Sequence, residues 1–202
     1  MTRRLVLSIL VLTVLGPLTA AADQPEIVAE ARVERLHIVF PQDPDVSWFL
    51  DTFGARRAGH THIGVDIHAP KGSPVYSIAA GVVTRVAISG RAGAYLGVDH
   101  GSGWTSWYMH LDTDEPGTDN GRGGFDTAFA RGIGVGSFVD AGDLIGFVGD
   151  SGNAEGTIPH THFEVHRNGR AIDPYHMLLA SQERALMVLR AQRLAVLEDR
   201  IV

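Results

Sequence analysis

Two histidines on a predicted β-strand, His160 and His162, are the first residues whose spacing suggests chemistry. Apolar or β-favouring residues at 161, 163 and 165 alternate with polar ones, which is the period of a strand. Residues two positions apart on a strand point to the same face, about 6.6 Å apart. Two imidazoles can therefore share one site, in which one holds a metal ion and the other faces a substrate. Taken alone, such a pair is more often found on a surface, so other segments must decide.

His62 and Asp66 could complete a metal site with one histidine of that pair. In a straight strand their Cα atoms would lie roughly 13 Å apart, so we expect a bend near Gly64, which glycine permits. Zinc accepts imidazole nitrogen and carboxylate oxygen, and a catalytic zinc usually keeps three protein ligands and one open position. The chain has no cysteine, which excludes a thiolate site. The alternatives are a turn-capping Asp66, a surface His62, and His60 as the ligand in place of His62.

A third segment that could contribute to the site is a predicted strand that ends near His110. Alternation over residues 104–111 places Ser106, Tyr108 and His110 on one face of the predicted strand. Histidine titrates near neutral pH, so a histidine that faces a polar site together with Tyr108 could transfer protons. The alternative is a hydrogen-bonded structural histidine.

Six sequence blocks in a fixed order make the pattern specific. Together they resemble the LytM/lysostaphin-type zinc endopeptidases, which cut peptidoglycan cross-bridges, and the resemblance covers roughly residues 50–175. The blocks are His62–Ile67, Ala69–Val75, Ala80–Val83, Trp107–Leu111, Val139–Gly152 and Pro159–Val165.

The resemblance implies a role for the polar residues of these blocks. It implies that His62, Asp66 and His162 bind one zinc ion per chain, and that His110 and His160 are the catalytic histidines. All five positions carry the expected residue, which argues against the degenerate relatives that have lost zinc and act as regulators. The implied fold is mainly β, an antiparallel-sheet LytM-type barrel-sandwich hybrid with the site in a groove.

The implied hydrolysis needs a base other than glutamate, because the chain has no H-E-x-x-H motif. Zinc lowers the pKa of bound water to about 7 and polarises the scissile carbonyl. One of the two free histidines is then the base, and the other stabilises the oxyanion or protonates the leaving amine. The loop from His110 to about Gly136 is longer than in compact relatives and is expected to line one wall of the groove.

The N-terminus, residues 1–22, is predicted to be a secretory signal peptide. Arg3 and Arg4 precede an apolar run, and Ala20–Ala22 offers a cleavage site. We therefore expect a secreted, periplasmic or cell-envelope protein without stable membrane insertion after cleavage; an uncleaved anchor is the alternative. Without the signal, 15 basic residues stand against 23 acidic ones, which argues against nucleic acid and anionic membranes as partners. The resemblance implies peptidoglycan peptide stems or cross-bridges as the partner.

The remaining chain divides into three predicted parts. Residues 23–45 form an N-terminal lead-in with one strand over 33–40, and residues 46–178 form the zinc endopeptidase domain. In that domain, short apolar runs separated by glycine-rich turns, among them Asn168-Gly169, predict antiparallel strands. Residues 179–202 are predicted to form a C-terminal helix, because the sequence from 181 lacks Gly and Pro and is rich in Ala, Leu, Arg and Glu.

Several alternatives remain open. The chain could be a zinc-bearing, non-hydrolytic wall factor that binds or activates a separate hydrolase. It could be a biotinyl- or lipoyl-type carrier, although its only lysine, Lys71, lies outside any hairpin attachment motif. The acidic stretch 112–126 could bind calcium, but without the full D-x-D-x-D-G spacing a solvated loop on the substrate wall is favoured. Structural or surface roles are assigned to the other histidines, His37, His60, His68, His100, His166 and His176.

Overall fold

The computed structural model describes residues 36–199. The predicted signal peptide, 1–22, and residues 23–35 of the lead-in lie outside the described residues. Residues 36–40 form no strand, so the strand predicted over 33–40 is wrong for this part. The reason is that Val39 makes a single backbone hydrogen bond to the Ile78 carbonyl oxygen, at 2.8 Å, and proline follows at 41. The apolar pattern reflects burial instead, since Ile38 and Phe40 both lie in the core.

Short antiparallel strands and one long helix make up the described chain. The strands are β1 (Trp48–Phe49), β2 (Arg56–Arg57), β3 (His60–Thr61), β4 (Val65–His68), β5 (Pro74–Tyr76), β6 (Gly81–Ser89), β7 (Gly93–Gly101), β8 (Trp104–Leu111), β9 (Phe138–Val139), β10 (Leu144–Phe147), β11 (His160–Arg167) and β12 (Arg170–Ile172). The helices are α1 (Phe125–Ala128) and α2 (Tyr175–Glu198), and Gly152–Ala154 forms a 3-10 turn. The mainly β, antiparallel fold with a C-terminal helix is the predicted one.

One large sheet carries most of the strands. Its order is β1-β4-β11-β8-β7-β6-β9, with β12 paired to β11, and all pairings are antiparallel. Strands β5 and β10, and strands β2 and β3, form two small two-stranded sheets. The strands β6, β7 and β8 follow one another along the chain, whereas β4 and β11 are far apart in sequence. Their pairing joins the two ends of the domain, and the histidine segments lie there.

Two predicted hairpin turns are confirmed. Gly101–Gly103 connects β7 to β8, and Asn168-Gly169 connects β11 to β12. Asn168 and Gly169 have φ angles of 50° and 75°, and a two-residue turn with positive φ at both positions matches the twist of a hairpin. Asparagine and glycine tolerate this backbone region, which is why the dipeptide was a strong signal.

Tyr108 lies in the hydrophobic core rather than in a polar site beside His110, which corrects the sequence analysis. The side chain is fully buried, and its ring centroid lies 5.3 Å from that of Phe163. Its hydroxyl oxygen accepts a hydrogen bond from the Ile78 N–H at 2.9 Å. Burial raises the pKa of Tyr108 to about 12, so the phenol stays protonated. Alternation identified the shared face correctly, but it does not distinguish a core face from a polar one.

Helix α2 begins at Tyr175, before the predicted start at residue 179. The Asp173 carboxylate accepts the Tyr175 N–H at 2.9 Å, and Pro174 occupies the N-cap position, where a missing N–H is tolerated. Leu178 is fully buried and Ser181 nearly so, so the first turns pack against the sheet domain. Within residues 36–199, no helix is long and apolar enough to cross a membrane.

Candidate active site

The antiparallel register of β4 and β11 brings two sequence-distant segments together. In this register His162 lies opposite Asp66, and His160 lies opposite His68. Side chains of directly opposed residues have Cβ atoms about 4.5–5.5 Å apart. An imidazole and a carboxylate are therefore adjacent because of strand pairing alone.

The backbone bends at Gly64, as predicted, and this bend places His62 outside β4. A Cβ atom on residue 64 would lie 2.5 Å from the Phe163 carbonyl oxygen and 2.8 Å from His162 Nε2. The β11 backbone approaches residue 64 so closely that only a residue without a Cβ atom, glycine, fits there. The bend lets the His62 ring reach the Asp66 carboxylate.

Three donor atoms form a compact triangle at the centre of the site. His62 Nε2 lies 2.9 Å from His162 Nδ1, and each nitrogen lies 3.0 Å from Asp66 Oδ1. Donors held by one tetrahedral zinc at about 2.0–2.1 Å are separated by roughly 3.3 Å. A small expansion of the triangle would therefore admit the ion, and two imidazoles with a carboxylate are a donor set that zinc accepts.

The second polar atom of each of these side chains is held by the surrounding protein. His62 Nδ1 donates to the Thr52 carbonyl oxygen at 2.9 Å, and Arg57 donates to Asp66 Oδ2 at 2.8 Å. His162 Nε2 donates to the Glu164 carboxylate at 3.0 Å. Such contacts fix which ring nitrogen carries the proton and orient the other one. His62 Nε2 and His162 Nδ1 thus face the centre of the triangle.

Charge and hydrogen bonding shift the pKa values of Asp66, Glu164 and His162. Burial opposes the charged form of Asp66, but hydrogen bonds with His162 and His62 outweigh it and lower the pKa of this carboxyl group. Burial also opposes the charged form of His162, yet hydrogen bonds to Asp66 and Glu164 raise its pKa to about 9. Burial is outweighed at Glu164 as well, where hydrogen bonds with His162 and His166 lower the pKa. In the metal-free protein a proton on His162 balances the neighbouring carboxylates.

Two further histidines stand beside the triangle. The ring centroids of His110 and His160 lie 5.2 Å apart, and that of His110 lies 6.0 Å from that of His162. His110 Nδ1 lies 2.9 Å from the Ser151 carbonyl oxygen, and His160 Nδ1 lies 2.8 Å from the Ile158 carbonyl oxygen. A carbonyl oxygen only accepts, so each Nδ1 carries the proton and each Nε2 keeps its lone pair.

His110 has an unusual backbone and a shifted pKa. Its φ angle is 61°, in the left-handed region that residues other than glycine seldom adopt, and its N–H bonds the Ala92 carbonyl oxygen at 2.9 Å. Burial, followed by the electrostatic effect of the neighbouring His160, lowers the pKa of His110 to about 4. Strained backbone of this kind is concentrated at functional sites. His110 is therefore a neutral, firmly held imidazole.

Comparison with known families decides what kind of protein carries this arrangement. The model of Peptidase family M23 matches residues 60–119 and 126–174, which include all five predicted site residues. The chain belongs to peptidase family M23. The gap in the match, 120–125, falls within the acidic stretch 112–126.

The relatives of this M23 domain include peptidoglycan endopeptidases. It is 32% identical over 122 residues to the DD-carboxypeptidase/endopeptidase Mpg of Neisseria gonorrhoeae, covering 60% of this chain and 24% of that protein. It is 35% identical over 137 residues to the L-Ala–D-Glu endopeptidase of Bacillus subtilis, covering 63% of this chain and 36% of that protein. The matched regions thus span about a quarter to a third of these relatives' lengths.

Solved structures place the fold among the LytM/lysostaphin-type peptidases, as predicted. A zinc-containing peptidase from Vibrio cholerae superposes with a TM-score of 0.55 and 29% identity, over 72% of this chain and 40% of that one. A variant of the catalytic domain of the prophage-encoded M23 protein EnpA from Enterococcus faecalis superposes with a TM-score of 0.51 and 25% sequence identity. The match covers 67% of this chain and 94% of that one.

The five predicted site residues of the M23 domain lie together, whereas the competitor His60 does not join them. His60 is exposed, and its Nδ1 contacts the carbonyl oxygen of Ala58 at 3.1 Å. Within residues 36–199, two groups of three side chains could hold a metal ion. One group is His62, Asp66 and His162, and the other is a separate acidic set. The assignment of His62, Asp66 and His162 to zinc stays a prediction.

Sequence reasoning missed the partners of these residues. Glu164 bridges His162 and His166, whose Nε2 lies 2.6 Å from its second carboxylate oxygen. Strand alternation could have identified Glu164 and His166 as neighbours of His162, since residues 162, 164 and 166 share a face of the strand. His68, assigned a surface or structural role, stacks on Trp48 with centroids 4.1 Å apart and lies 5.2 Å from His160. Only the tertiary pairing of β1, β4 and β11 reveals that contact.

The second acidic set, Asp114, Asp119 and Asp150, surrounds a lysine rather than an open cation site. Lys71 Nζ lies 2.7, 2.6 and 2.7 Å from their respective oxygens. The ammonium group thus satisfies the carboxylates that calcium would need. The same contacts keep Lys71 from being presented at a hairpin tip, as a carrier module would require.

Proposed function

We propose that this M23 protein is a secreted, zinc-dependent endopeptidase that hydrolyses peptide cross-links of bacterial peptidoglycan. The observation that carries the proposal is the triangle of His62, Asp66 and His162 donor atoms with two histidines beside it, whose Nε2 atoms make no hydrogen bond within residues 36–199. The named activities of the relatives, a DD-carboxypeptidase/endopeptidase and an L-Ala–D-Glu endopeptidase among them, support a peptidoglycan substrate.

In this proposal His62 Nε2, Asp66 Oδ1 and His162 Nδ1 hold one zinc ion per chain. The mutual distances of these atoms, 2.9–3.0 Å, and the hydrogen bonds that fix both imidazoles support the assignment. When bound, zinc supplies a Lewis acid that polarises the scissile carbonyl and acidifies a water molecule.

His110 and His160 carry the protons of the reaction. Water adds its hydroxyl group to the carbonyl carbon, the C–N bond breaks, and the amine leaves with a proton. Each ring keeps Nδ1–H on a carbonyl oxygen and offers the lone pair of Nε2, so each can accept a proton from water. One ring thus acts as the base, and a ring that has gained a proton on Nε2 can hydrogen-bond the developing oxyanion or pass that proton to the leaving amine.

Secretion follows from the predicted signal peptide and from the location of the substrate. Peptidoglycan stems and cross-bridges lie outside the cytoplasm, which agrees with the basic start and apolar run of residues 1–22. The net charge of −6 gives no reason to expect nucleic acid as a partner.

The second candidate is a zinc-bearing wall factor without hydrolytic activity, since some M23 members are inactive. The presence of both His110 and His160 in hydrogen-bonded, fixed orientations favours the enzyme, because a binding factor has no use for two proton-transfer groups. Cleavage by the purified protein alone separates the two candidates.

The test is digestion of purified peptidoglycan by the zinc-loaded protein, followed by mass spectrometry of the released fragments. We expect cross-linked dimers to become monomers, and the fragment masses name the bond that is cut. His162→Ala and a chelator should abolish release, whereas Arg193→Met, on the exposed side of α2, should not change it. Absence of release with several wall types would contradict the proposal, as would equal release by His162→Ala.

A further inference from the structure

A single three-residue segment, Gly149–Ser151, holds both proposed catalytic histidines. The Gly149 carbonyl oxygen accepts the backbone N–H of His160 at 2.9 Å. The Ser151 carbonyl oxygen accepts the Nδ1–H of His110 at 2.9 Å. Movement of this segment would therefore displace one histidine backbone and one histidine ring together.

Asp150, at the centre of that segment, is buried and paired with a cation. Only 4% of the surface of Asp150 is exposed, and its Oδ1 lies 2.7 Å from Nζ of Lys71. The other carboxylate oxygen accepts the Gly156 N–H at 3.3 Å. Removing the partner of a buried carboxylate leaves an uncompensated charge, so the segment depends on Lys71 to keep Asp150 in place.

Lys71 also forms ion pairs with the acidic loop 112–124, which follows His110. Its Nζ lies 2.7 Å from Oδ2 of Asp114, which is buried, and 2.6 Å from Oδ1 of Asp119, which is exposed. Asp114 Oδ1 accepts the Gly121 N–H at 2.6 Å, which closes the loop on itself. Partial burial opposes the charge of Lys71, but the three carboxylates raise its pKa, so the ammonium stays charged.

We propose that Lys71 is a positioning residue that holds Gly149–Ser151, and with it both histidines, and couples this segment to the acidic loop 112–124. The inference rests on the proposed hydrolysis. The acidic loop and the histidines then respond together, so a substrate that displaces the loop also shifts the proton-transfer groups. Lys71 contacts neither the donor triangle nor the histidine rings, and it acts through Asp150.

The test compares Lys71→Met with Lys71→Arg, which keeps the charge, and with Arg193→Met. Arg193 pairs with Asp45 on an exposed surface, so its variant is a matched loss of a cation. Lys71→Met should lower kcat on soluble peptidoglycan fragments by about 10–100-fold, the usual effect of losing an orienting partner. KM and zinc content should change little, and Lys71→Arg should restore most of kcat. Arg193→Met should match the wild type.

A second readout does not depend on activity. Hydrogen exchange at the His160 amide should be faster in Lys71→Met than in the wild type or in Arg193→Met, because its acceptor, Gly149, is less restrained. If the wild-type protein releases no fragments, the proposed function fails, and this exchange rate still decides the inference. Should Lys71→Met not fold, Asp150→Asn breaks the same link and is judged by the same two readouts.

Three results would overturn the inference. The first is wild-type kcat together with wild-type exchange at His160 in Lys71→Met. The second is a joint loss of kcat, zinc content and thermal stability that Lys71→Arg does not restore, which would show a general structural role. The third, for a protein without activity, is an unchanged exchange rate at His160.

Discussion

At the scale of single residues, Glu164 is the side chain on which the orientation of His162 depends. Its two carboxylate oxygens contact His162 Nε2 at 3.0 Å and His166 Nε2 at 2.6 Å. The carboxylate thereby keeps a proton on Nε2 of His162 and leaves Nδ1 for a metal ion. Glu164 is buried, so this contact is not screened by water.

Glu164→Gln is expected to weaken zinc binding by about 10–100-fold, because the amide is a poorer acceptor and leaves the ring less firmly oriented. Competition with a fluorescent chelator measures this affinity. Glu183→Gln, an exposed change on α2, is the control and should bind zinc like the wild type. Equal affinities of the two variants would show that Glu164 does not orient the ligand.

His162 predicts how the stability of the metal-free protein depends on pH. The folded state raises its pKa from 6.5 to about 9, so its stabilising contribution is complete below pH 6.5 and is lost as the pH rises through 9. We expect the Tm of the metal-free protein to fall over this interval, and the fall to be smaller in His162→Ala. Thermal unfolding in chelator at several pH values measures it. A Tm that rises between pH 6.5 and 9 would contradict the assignment.

His110 should be separable from the metal ligands by mutation. His110→Asn suits the φ angle of 61°, because asparagine tolerates the left-handed region, and it removes the Nε2 lone pair. We expect kcat to fall by about 10²–10⁴-fold, the usual worth of a proton-transfer group, while zinc content stays at one per chain. Metal analysis and turnover on the same preparation check this. Wild-type turnover would remove His110 from the mechanism.

At the scale of elements, the bend between β3 and β4 determines whether His62 reaches the site. Gly64→Ala would place a methyl group 2.5 Å from the Phe163 carbonyl oxygen, so β4 and β11 must separate locally. We expect a lower Tm and weaker zinc binding. Gly90→Ala is the matched control, since a Cβ there meets nothing within 4 Å. The account of the bend is wrong if both variants bind zinc equally well.

The elements themselves were largely predictable, because strand alternation and turn residues are local signals. The β7–β8 hairpin and the Asn168-Gly169 turn follow from the sequence alone. Tertiary packing decided the rest: it placed Tyr108 in the core, and it buried Ile38 and Phe40 in a segment that forms no strand. The early start of α2 arises from Asp173 and Pro174, which are local signals that the composition of the helix had obscured.

The candidate site was predictable as a set of residues but not as a set of contacts. The family resemblance named His62, Asp66, His110, His160 and His162, and the structure brings them together. The bridge from Lys71 to Asp114 and Asp150 spans separate loops, and no pattern along the chain specifies it. Such contacts depend on how loops close over a sheet, which sequence periodicity does not encode.

At the scale of the whole molecule, the site forms where β4, β11 and β8 pair within the large sheet. Its proposed ligands come from the segment before β4, from β4 and from β11, and one proposed catalytic histidine comes from β8. Without cysteine, no disulfide holds these strands together, so a bound metal ion would link folding to the site. Zinc that binds the folded state should therefore stabilise the whole domain.

Titration of the metal-free protein with zinc, with fragment release measured at each step, tests whether one zinc ion at this site drives peptidoglycan hydrolysis. We expect release to start near zero, to rise in proportion to added zinc and to level off at about one equivalent per chain, with no rise for His162→Ala. Full release by the metal-free protein would contradict the claim. So would one equivalent of bound zinc without any release.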